Sequence, residues 1–131
     1  MKKIEVVAAI IVCDQLILCA QRKESALKYI SKKFEFPGGK IEQGETKREA
    51  LKRELLEELN ITPVIQDLYL TVVHQYPDFG LTMHSFICKT DTKQVSLQEH
   101  IGHQWLKKEA LDTLDWAAAD VPIVEKLMNN E

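Results

Sequence analysis

The sequence predicts an α/β protein in which apolar strands pack against helices. Residues Ile4 to Cys13 are apolar nearly throughout and rich in Val, Ile and Ala, which is typical of a strand covered on both faces. Residues Thr46 to Leu59 carry leucines about every 3.6 residues, the period of an amphipathic helix. Two stretches with strand character, Leu68 to His74 and Leu81 to Cys88, flank a turn-forming segment, Tyr76 to Gly80. These features together predict a sheet with helices packed on it.

The segment before the helix predicts a hairpin, a loop and a short strand. A turn at Asp14-Gln15 separates the first strand from a second at Leu16 to Ala20. Residues 21–33 are polar and basic, as in a solvent-exposed loop. Phe34 to Phe36 alternates as a strand, which we expect to stop at Pro37-Gly38-Gly39.

The helix carries signals for its start and its end. Thr46 and Glu49 form a T-x-x-E capping box. Asn60 stands where a left-handed residue ends a helix. The buried stripe between them consists of Leu51, Leu55 and Leu59.

The remainder of the chain completes one domain. We expect a strand at Gly102 to Leu106, a helical turn at Lys108 to Thr113 and a closing helix at Ala118 to Met128. The 131 residues fit a single domain over 1–131.

Composition and charge exclude several classes of protein. A net charge of −3 and a pI near 5.8 argue against a nucleic-acid surface, so no nucleic-acid partner is expected. The N-terminal apolar stretch is interrupted by Glu5 and is too short to span a bilayer, so no membrane association is expected. The three cysteines form no CxxC pair, which favours buried thiols in a reducing, cytoplasmic setting.

Three glutamates lie on one side of the helix. Glu54, Glu57 and Glu58 are spaced at i+3 and i+4, where like charges destabilise an isolated helix by about 0.2–0.5 kcal/mol per pair. A solvated acidic face would explain them. So would a hard divalent cation such as magnesium, which needs oxygen ligands and would attract an anionic substrate to this acidic chain. Arg53 is their one obvious local counter-charge.

The residues around these glutamates resemble a family motif. Gly39 is followed after five residues by Glu45, and after seven more by Arg53-Glu54-Leu55-x-Glu57-Glu58-x-Asn60-Ile61. This resembles the Nudix box, G-x5-E-x7-R-E-U-x-E-E-x-G-U, where U is aliphatic. Every defined position agrees except the final Gly, which is Asn60 here, a residue that also tolerates positive φ.

The resemblance implies a fold, a reaction and a cofactor. The fold would be a Nudix α/β/α sandwich around a mixed sheet, with the box as a loop-helix-loop. The reaction would be hydrolysis of X–O–PO2–O–PO2 linkages, with magnesium or manganese as cofactor. The implied metal ligands are the carbonyl of Gly38 and the side chains of Glu54, Glu57 and Glu58. Arg53 would orient the carboxylates, and Glu45 would support the loop.

A further acid outside the box is also implied. Glu99 stands six residues before Trp105, where MutT-type members carry an additional metal ligand or general base. His100 is the competing candidate. The sequence leaves open which group takes the proton from the attacking water.

Within the family the chain resembles MutT-like nucleoside triphosphate pyrophosphohydrolases, in particular the CTP pyrophosphohydrolase type. The products would be a nucleoside monophosphate and pyrophosphate. Arg22 matches an arginine that contacts the phosphates in that branch, and Lys40 is a further candidate substrate contact. The stretches that carry the likeness are Glu5 to Ile11, Ala20 to Arg22, Phe34 to Lys40 and Ala119 to Pro122.

Asp120 is the candidate reader of the nucleobase. The 8-oxoguanine-preferring pattern has Asn there, whereas an ionised Asp only accepts and suits the exocyclic amino group of cytosine. A protonated Asp120 would also donate, which would favour 8-oxo-dGTP as the substrate. Asp120 is equally placed to cap the last helix. Phe36 and Phe79 are candidate stacking partners for the base or ordinary core residues.

The predicted function is magnesium-dependent pyrophosphohydrolysis of CTP, dCTP or a modified cytosine nucleotide. The alternatives are an 8-oxo-dGTP diphosphatase that sanitises the nucleotide pool and a non-catalytic nucleotide-sensing module. The expected partner is a small-molecule nucleotide, and the expected state is a monomer or weak dimer.

Overall fold

A mixed sheet of seven strands runs through residues 2–129, the part of the chain that the computed structural model describes. The strands are β1 Lys2–Cys13, β2 Leu16–Arg22, β3 Phe34–Glu35, β4 Gly38–Lys40, β5 Val64–Gln75, β6 Phe79–Lys89 and β7 His100–Leu106. The helices are α1 Lys47–Leu59 and α2 Val121–Asn129, with 3-10 turns at Lys108–Thr113 and Ala118–Asp120. This order confirms the predicted α/β class.

The long strand β1 lies at the centre of the sheet. The order is β3-β2-β1-β6-β5, with β4 added on β1 and β7 on β2. Only the β1–β6 pair is parallel among these described strands. On its other side β1 pairs with β4 at residues 6–8 and with β2 at residues 12–13. Because β1 changes partner there, β2 and β4 diverge and leave room for a cleft.

Alternate residues of β1 face two different helices. Ala8 and Ile10 belong to a buried cluster that includes residues of α2. Val7, Ala9 and Ile11 belong to a second cluster, which includes the leucines of α1. The sheet therefore has a helix on each face, and the predicted α/β/α sandwich is confirmed.

Both ends of α1 have the structure that the sequence predicts. Thr46 and Glu49 make both hydrogen bonds of the capping box, and Asn60 adopts φ 56° and ψ 41°. At the β1–β2 turn, Asp14 and Gln15 both have positive φ. The three cysteines are buried, as expected. Within residues 2–129, no helix has the length and apolar character needed to cross a membrane.

Several predicted boundaries were wrong. The expected stop at Pro37-Gly38-Gly39 contains a strand, since β4 begins at Gly38 and pairs with β1. A Cβ on Gly38 would lie 1.9 Å from the Val7 carbonyl oxygen, so glycine permits a close strand contact here rather than a turn. The closing helix begins as a 3-10 turn, and β5 and β6 extend beyond their predicted ends.

Candidate active site

Arg53 forms ion pairs with several carboxylates on and before the acidic helix. Its Nε and Nη2 donate to the two carboxylate oxygens of Glu45 at 2.6 and 2.9 Å. Its Nη1 donates to Glu54 at 3.0 Å and to Glu57 at 3.4 Å. Its Nη2 also donates to the Lys40 carbonyl at 3.0 Å, which ties α1 to β4. The paired guanidinium lowers the pKa of Glu45 to about 2, and the Glu45 carboxylate raises the pKa of Arg53.

Glu58 is a partly buried carboxylate with one oxygen that lacks a partner among the described residues. Its Oε2 is buried and has no hydrogen-bond partner within residues 2–129. Burial, followed by the charge and hydrogen bond of Glu54, raises the pKa of Glu58 to about 8. Glu35 and Glu99 contribute to the same shift. An ionised Glu58 would therefore need a nearby cation to be fully stabilised.

The convergence of three carboxylates on one point is not present. No group of three His, Cys, Asp or Glu side chains among the described residues is arranged to hold one ion. Glu57 has a side chain that is 60% exposed, and its carboxylate lies 3.4 Å from Arg53 Nη1. Glu54 and Glu58 remain adjacent, and the orphaned oxygen of Glu58 together with the all-oxygen donor set fits a magnesium ion. The ligand roles of Glu57 and Gly38 stay predictions.

Two glycines of β4 bring the strand against its neighbours. A Cβ on Gly39 would lie 2.3 Å from the carboxyl carbon of Glu54. The missing side chain therefore makes room for that carboxylate. On the opposite side of β4, Gly38 approaches the backbone of β1.

A cavity of about 370 Å³ opens between β1, β3, β4 and the segment before α2. Its lining divides by residue type into a charged set and an apolar set, which we call the charged end and the apolar end. The charged end is lined by Arg22, Lys23, Glu35, Lys40, Glu58, Glu99 and His100. The apolar end is lined by Ile4, Val6, Ile30, Phe36, Tyr76, Phe79, Leu81, Met83, Ala117 and Ala119, with Asp120 as its acid.

At the charged end, Glu35 links a cation to a buried histidine. Arg22 Nη1 donates to Glu35 Oε1 at 3.0 Å, and His100 Nε2 lies 2.9 Å from Glu35 Oε2. The His100 side chain is only 3% exposed. Within residues 2–129, Arg22 Nε and His100 Nδ1 are buried without a hydrogen-bond partner. Glu99 is exposed and lies 3.8 Å from Lys23.

At the apolar end, Asp120 is held by the backbone of Phe36. The Phe36 amide donates to Asp120 Oδ1 at 3.0 Å, and Asp120 is 4% exposed. Burial raises the pKa of Asp120 well above its usual value, and the negative charge of Glu35 adds to that shift. The Asp120 side chain thus accepts a hydrogen bond from Phe36. The sequence had offered capping of the last helix and contact with the base as equal alternatives for this side chain.

The two phenylalanines have different surroundings. Phe36 is buried and stacks on Trp116, with 4.7 Å between ring centroids. Phe79 lies tilted against Tyr76 at 5.1 Å. Both line the cavity, so each is a wall residue as well as a packing residue.

The structure brings most of the predicted site residues to one cavity. Those that line it are Arg22, Phe36, Gly38, Lys40, Glu58, Phe79, Glu99 and Asp120. Glu54 contacts this group through Gly39, whereas Arg53 and Glu57 lie behind it on the loop side of α1. Sequence reasoning missed Glu35, Tyr76 and Ile30. A charged residue between two phenylalanines was a signal for Glu35, while Ile30 and Tyr76 offered no local signal.

Comparison with known proteins identifies the family. Residues 6–126 match the family model described as NUDIX domain. The chain is 38% identical to the CTP pyrophosphohydrolase of Escherichia coli K12, over 98% of this chain and 93% of the relative. It is 32% identical to the 8-oxo-dGTP diphosphatase of the same organism, over 97% of this chain and 98% of the relative.

A solved structure shows the same fold. The solution structure of a MutT protein of the Nudix hydrolase family, from methicillin-resistant Staphylococcus aureus, superposes with a TM-score of 0.75 and 40% identity, covering 98% of each chain. The chain therefore belongs to the Nudix hydrolase family, as a pyrophosphohydrolase of the MutT type.

Proposed function

We propose that this enzyme converts a cytosine nucleoside triphosphate, CTP or dCTP, to the monophosphate and pyrophosphate with magnesium as its cofactor. The observation that carries the proposal is the two-ended cavity, with cations and carboxylates at one end and Asp120 among apolar side chains at the other. A nucleotide has the same division into a charged and a flat, largely apolar part. One of the similar proteins named above is itself a CTP pyrophosphohydrolase.

The charged end suits a triphosphate chain bound with a metal ion. Arg22, Lys23 and Lys40 line it and provide positive charge in an otherwise acidic protein. Arg22 Nε is a buried donor without a partner among the described residues, so a phosphate oxygen would satisfy it. Glu54 and Glu58, with Glu57 and Gly38 as further predicted ligands, would hold the magnesium. The ion, when bound, would polarise the phosphoryl oxygens and activate water.

The chain's own residues would position the reaction. Arg53 holds the loop before α1 against the helix through Glu45, which keeps Glu54 beside Gly39. Glu58, Glu99 and His100 all line the charged end of the cavity. Under the proposal, water would attack phosphorus there. Glu99 stays our candidate for a further ligand or base. Attack on a phosphoanhydride bond by water yields two acids, the nucleoside monophosphate and pyrophosphate.

The apolar end suits a nucleobase read by Asp120. An ionised Asp120 accepts from the amino group of cytosine and repels the carbonyl oxygen of uracil. Phe36 and Phe79 offer ring surfaces in the same wall. The proposed preference is therefore cytosine over uracil.

A specific observation favours 8-oxo-dGTP as the second candidate. Burial raises the pKa of Asp120, and a neutral carboxyl group both donates and accepts. Such a group matches adjacent N–H and carbonyl groups on the edge of 8-oxoguanine. A diphosphatase for 8-oxo-dGTP is also among the similar proteins.

Pyrophosphate release from a panel of nucleotides tests the proposal. The panel holds CTP, dCTP, 5-methyl-dCTP, UTP, 8-oxo-dGTP, GTP and ADP-ribose, each with magnesium and with chelator. We expect cytosine nucleotides to lead and chelator to abolish release. If 8-oxo-dGTP leads, the second candidate replaces the first. Preferential cleavage of ADP-ribose would contradict both.

A further inference from the structure

Residues 23–33 form a strap that contributes Lys23 and Ile30 to the lining of the cavity. It leaves the sheet after β2 and returns at β3, where the Arg22 amide donates to the Lys33 carbonyl at 2.9 Å. Inside the strap, the amides of Ile30 and Ser31 donate to the Leu27 carbonyl at 3.1 and 3.0 Å. The strap is therefore an internally bonded unit rather than an extended loop.

Tyr29 connects this strap to Tyr76 and Asp78. Its ring stacks on Tyr76, with 5.2 Å between centroids and 20° between planes. Its hydroxyl donates to Asp78 in the turn between β5 and β6. Tyr76 is itself fixed, because its hydroxyl accepts from the Ala119 amide at 3.0 Å. Tyr29 thus joins the strap to the buried ring of Tyr76, which also contacts the residue before Asp120.

The fastening sets the position of one cavity wall. Ile30, the next residue in the strap, lines the apolar end together with Tyr76 and Phe79. Lys23, at the start of the strap, lines the charged end and lies 3.8 Å from Glu99. Release of Tyr29 would therefore move the wall at Ile30, while Arg22 on β2 and Glu35 on β3 would stay in place.

We propose that Tyr29 is a specificity-determining residue: by clasping the strap to Tyr76 and Asp78, it fixes the width of the nucleobase subsite. The inference rests on the proposed function, since it takes the apolar end as the base subsite. An apolar wall with a fixed position discriminates between bases by shape, and one methylene of misfit in an apolar pocket is worth about 10–200-fold. Asp120 would then recognise the edge of the base by hydrogen bonding. Tyr29 would act through Ile30 and Tyr76 and limit the size of the base that fits.

Kinetics with and without a base on the substrate test this role. Tyr29→Phe keeps the ring and removes the hydroxyl bond, whereas Tyr29→Ala removes both contacts. We expect Tyr29→Ala to reduce the ratio of kcat/KM between the preferred and the least preferred nucleoside triphosphate by about tenfold, through KM. Ribose 5-triphosphate, which lacks a base, should be hydrolysed as by the wild type. Tyr29→Phe and Asp78→Asn should each reduce this kcat/KM ratio by less than Tyr29→Ala does. The double variant should reduce it no more than either single variant.

Controls separate specificity from stability. Lys28→Ala changes an exposed residue of the same strap and should leave all ratios unchanged. Equal losses on ribose 5-triphosphate and on nucleotides would show a merely structural role and overturn the proposal, as would unchanged ratios in Tyr29→Ala. Calorimetric binding of CMP, UMP, GMP and ribose 5-phosphate to the same variants is measured in parallel. If the wild type hydrolyses no triphosphate, the proposed function fails, and base selectivity in binding still tests Tyr29.

Discussion

The carboxylate of Glu54 lies in the space that a side chain on Gly39 would fill. A Cβ at Gly39 would come within 2.3 Å of its carboxyl carbon and 2.5 Å of both oxygens. Glu54 is also bound by Arg53 at 3.0 Å, so it is held from two sides. The absence of a side chain at Gly39 is therefore part of how Glu54 of α1 is placed beside β4.

Gly39→Ala should consequently lower turnover more than stability. The new methyl group would displace the flexible end of Glu54, a predicted metal ligand, and a misplacement of about 1 Å can cost about 10²-fold, so we expect kcat to fall by roughly 10–100-fold. Gly102→Ala is the matched control, because its Cβ would meet only Gln21 Oε1 at 3.7 Å. Wild-type kcat in Gly39→Ala would show that Glu54 is not held where the structure has it.

Gly38→Ala should instead disrupt the fold. Its Cβ would lie 1.9 Å from the Val7 carbonyl oxygen and 2.8 Å from the Ala8 Cα, both backbone atoms that cannot rotate away. We expect a loss of about 1–3 kcal/mol or more in the free energy of unfolding, measured by denaturant titration. An unfolding midpoint equal to that of Gly102→Ala would contradict the close pairing of β4 with β1.

Helix α1 and its acids were predictable because their signals are local. The capping box, the leucine stripe and Asn60 each act within a few residues, and all three are present in the structure. The positions of the carboxylates were less predictable. The sequence alone suggested ion pairs between Arg53 and its neighbours on the helix. In the structure Arg53 also pairs with residues of the preceding loop, so its partners are Glu42, Glu45, Glu54 and Glu57.

The apolar end of the cavity depends on contacts between distant residues. Asp120 meets the Phe36 amide across 84 positions of the chain, and Tyr29 meets Asp78 across 49. No periodicity or capping rule links such pairs, which is why capping and base contact were equal alternatives for Asp120. The strand at Gly38 was missed for a related reason: Pro-Gly-Gly favours a turn locally, and only the neighbouring β1 makes it a strand.

Glu58→Gln should abolish most activity and leave the fold intact. The substitution keeps the shape but removes the charge that would hold the metal, so turnover should fall by orders of magnitude, and Glu57→Gln should behave alike. Glu125→Gln, on the exposed side of α2, is the control. Near-normal turnover in both Glu57→Gln and Glu58→Gln would contradict the proposed metal site.

The raised pKa of Glu58 also predicts how stability changes with pH. A folded-state pKa of about 8 against 4.5 in the unfolded chain means that the folded protein binds the extra proton between these values. Metal-free wild type should therefore lose stability as pH rises from about 4.5 to 8, and Glu58→Gln should lose less. Parallel curves for the two proteins, by urea unfolding in chelator, would show that Glu58 is not desolvated.

Asp120→Asn should change the choice of base rather than the rate on the best substrate. The amide cannot ionise, so it would donate and accept at every pH and favour 8-oxo-dGTP over CTP relative to the wild type. Since burial raises the pKa of Asp120, the wild-type ratio of CTP to 8-oxo-dGTP hydrolysis should increase as rising pH ionises the group, whereas the variant's ratio should stay flat. If both ratios respond to pH in the same way, Asp120 is not the reader.

The Glu45–Arg53 pair should contribute to acid stability. With the pKa of Glu45 lowered to about 2, its contribution is complete above 4.5 and is lost as pH falls from 4.5 through 2. We expect Glu45→Gln to be less stable than the wild type at pH 6 and the difference to vanish near pH 2, as measured by urea unfolding across that range. Glu42→Gln is the matched control, because Glu42 meets the same guanidinium only at 3.4 Å and is well exposed. A stability difference for Glu45→Gln that persists at pH 2, or one no larger than that of Glu42→Gln, would mean that the ion pair does not hold the loop on α1.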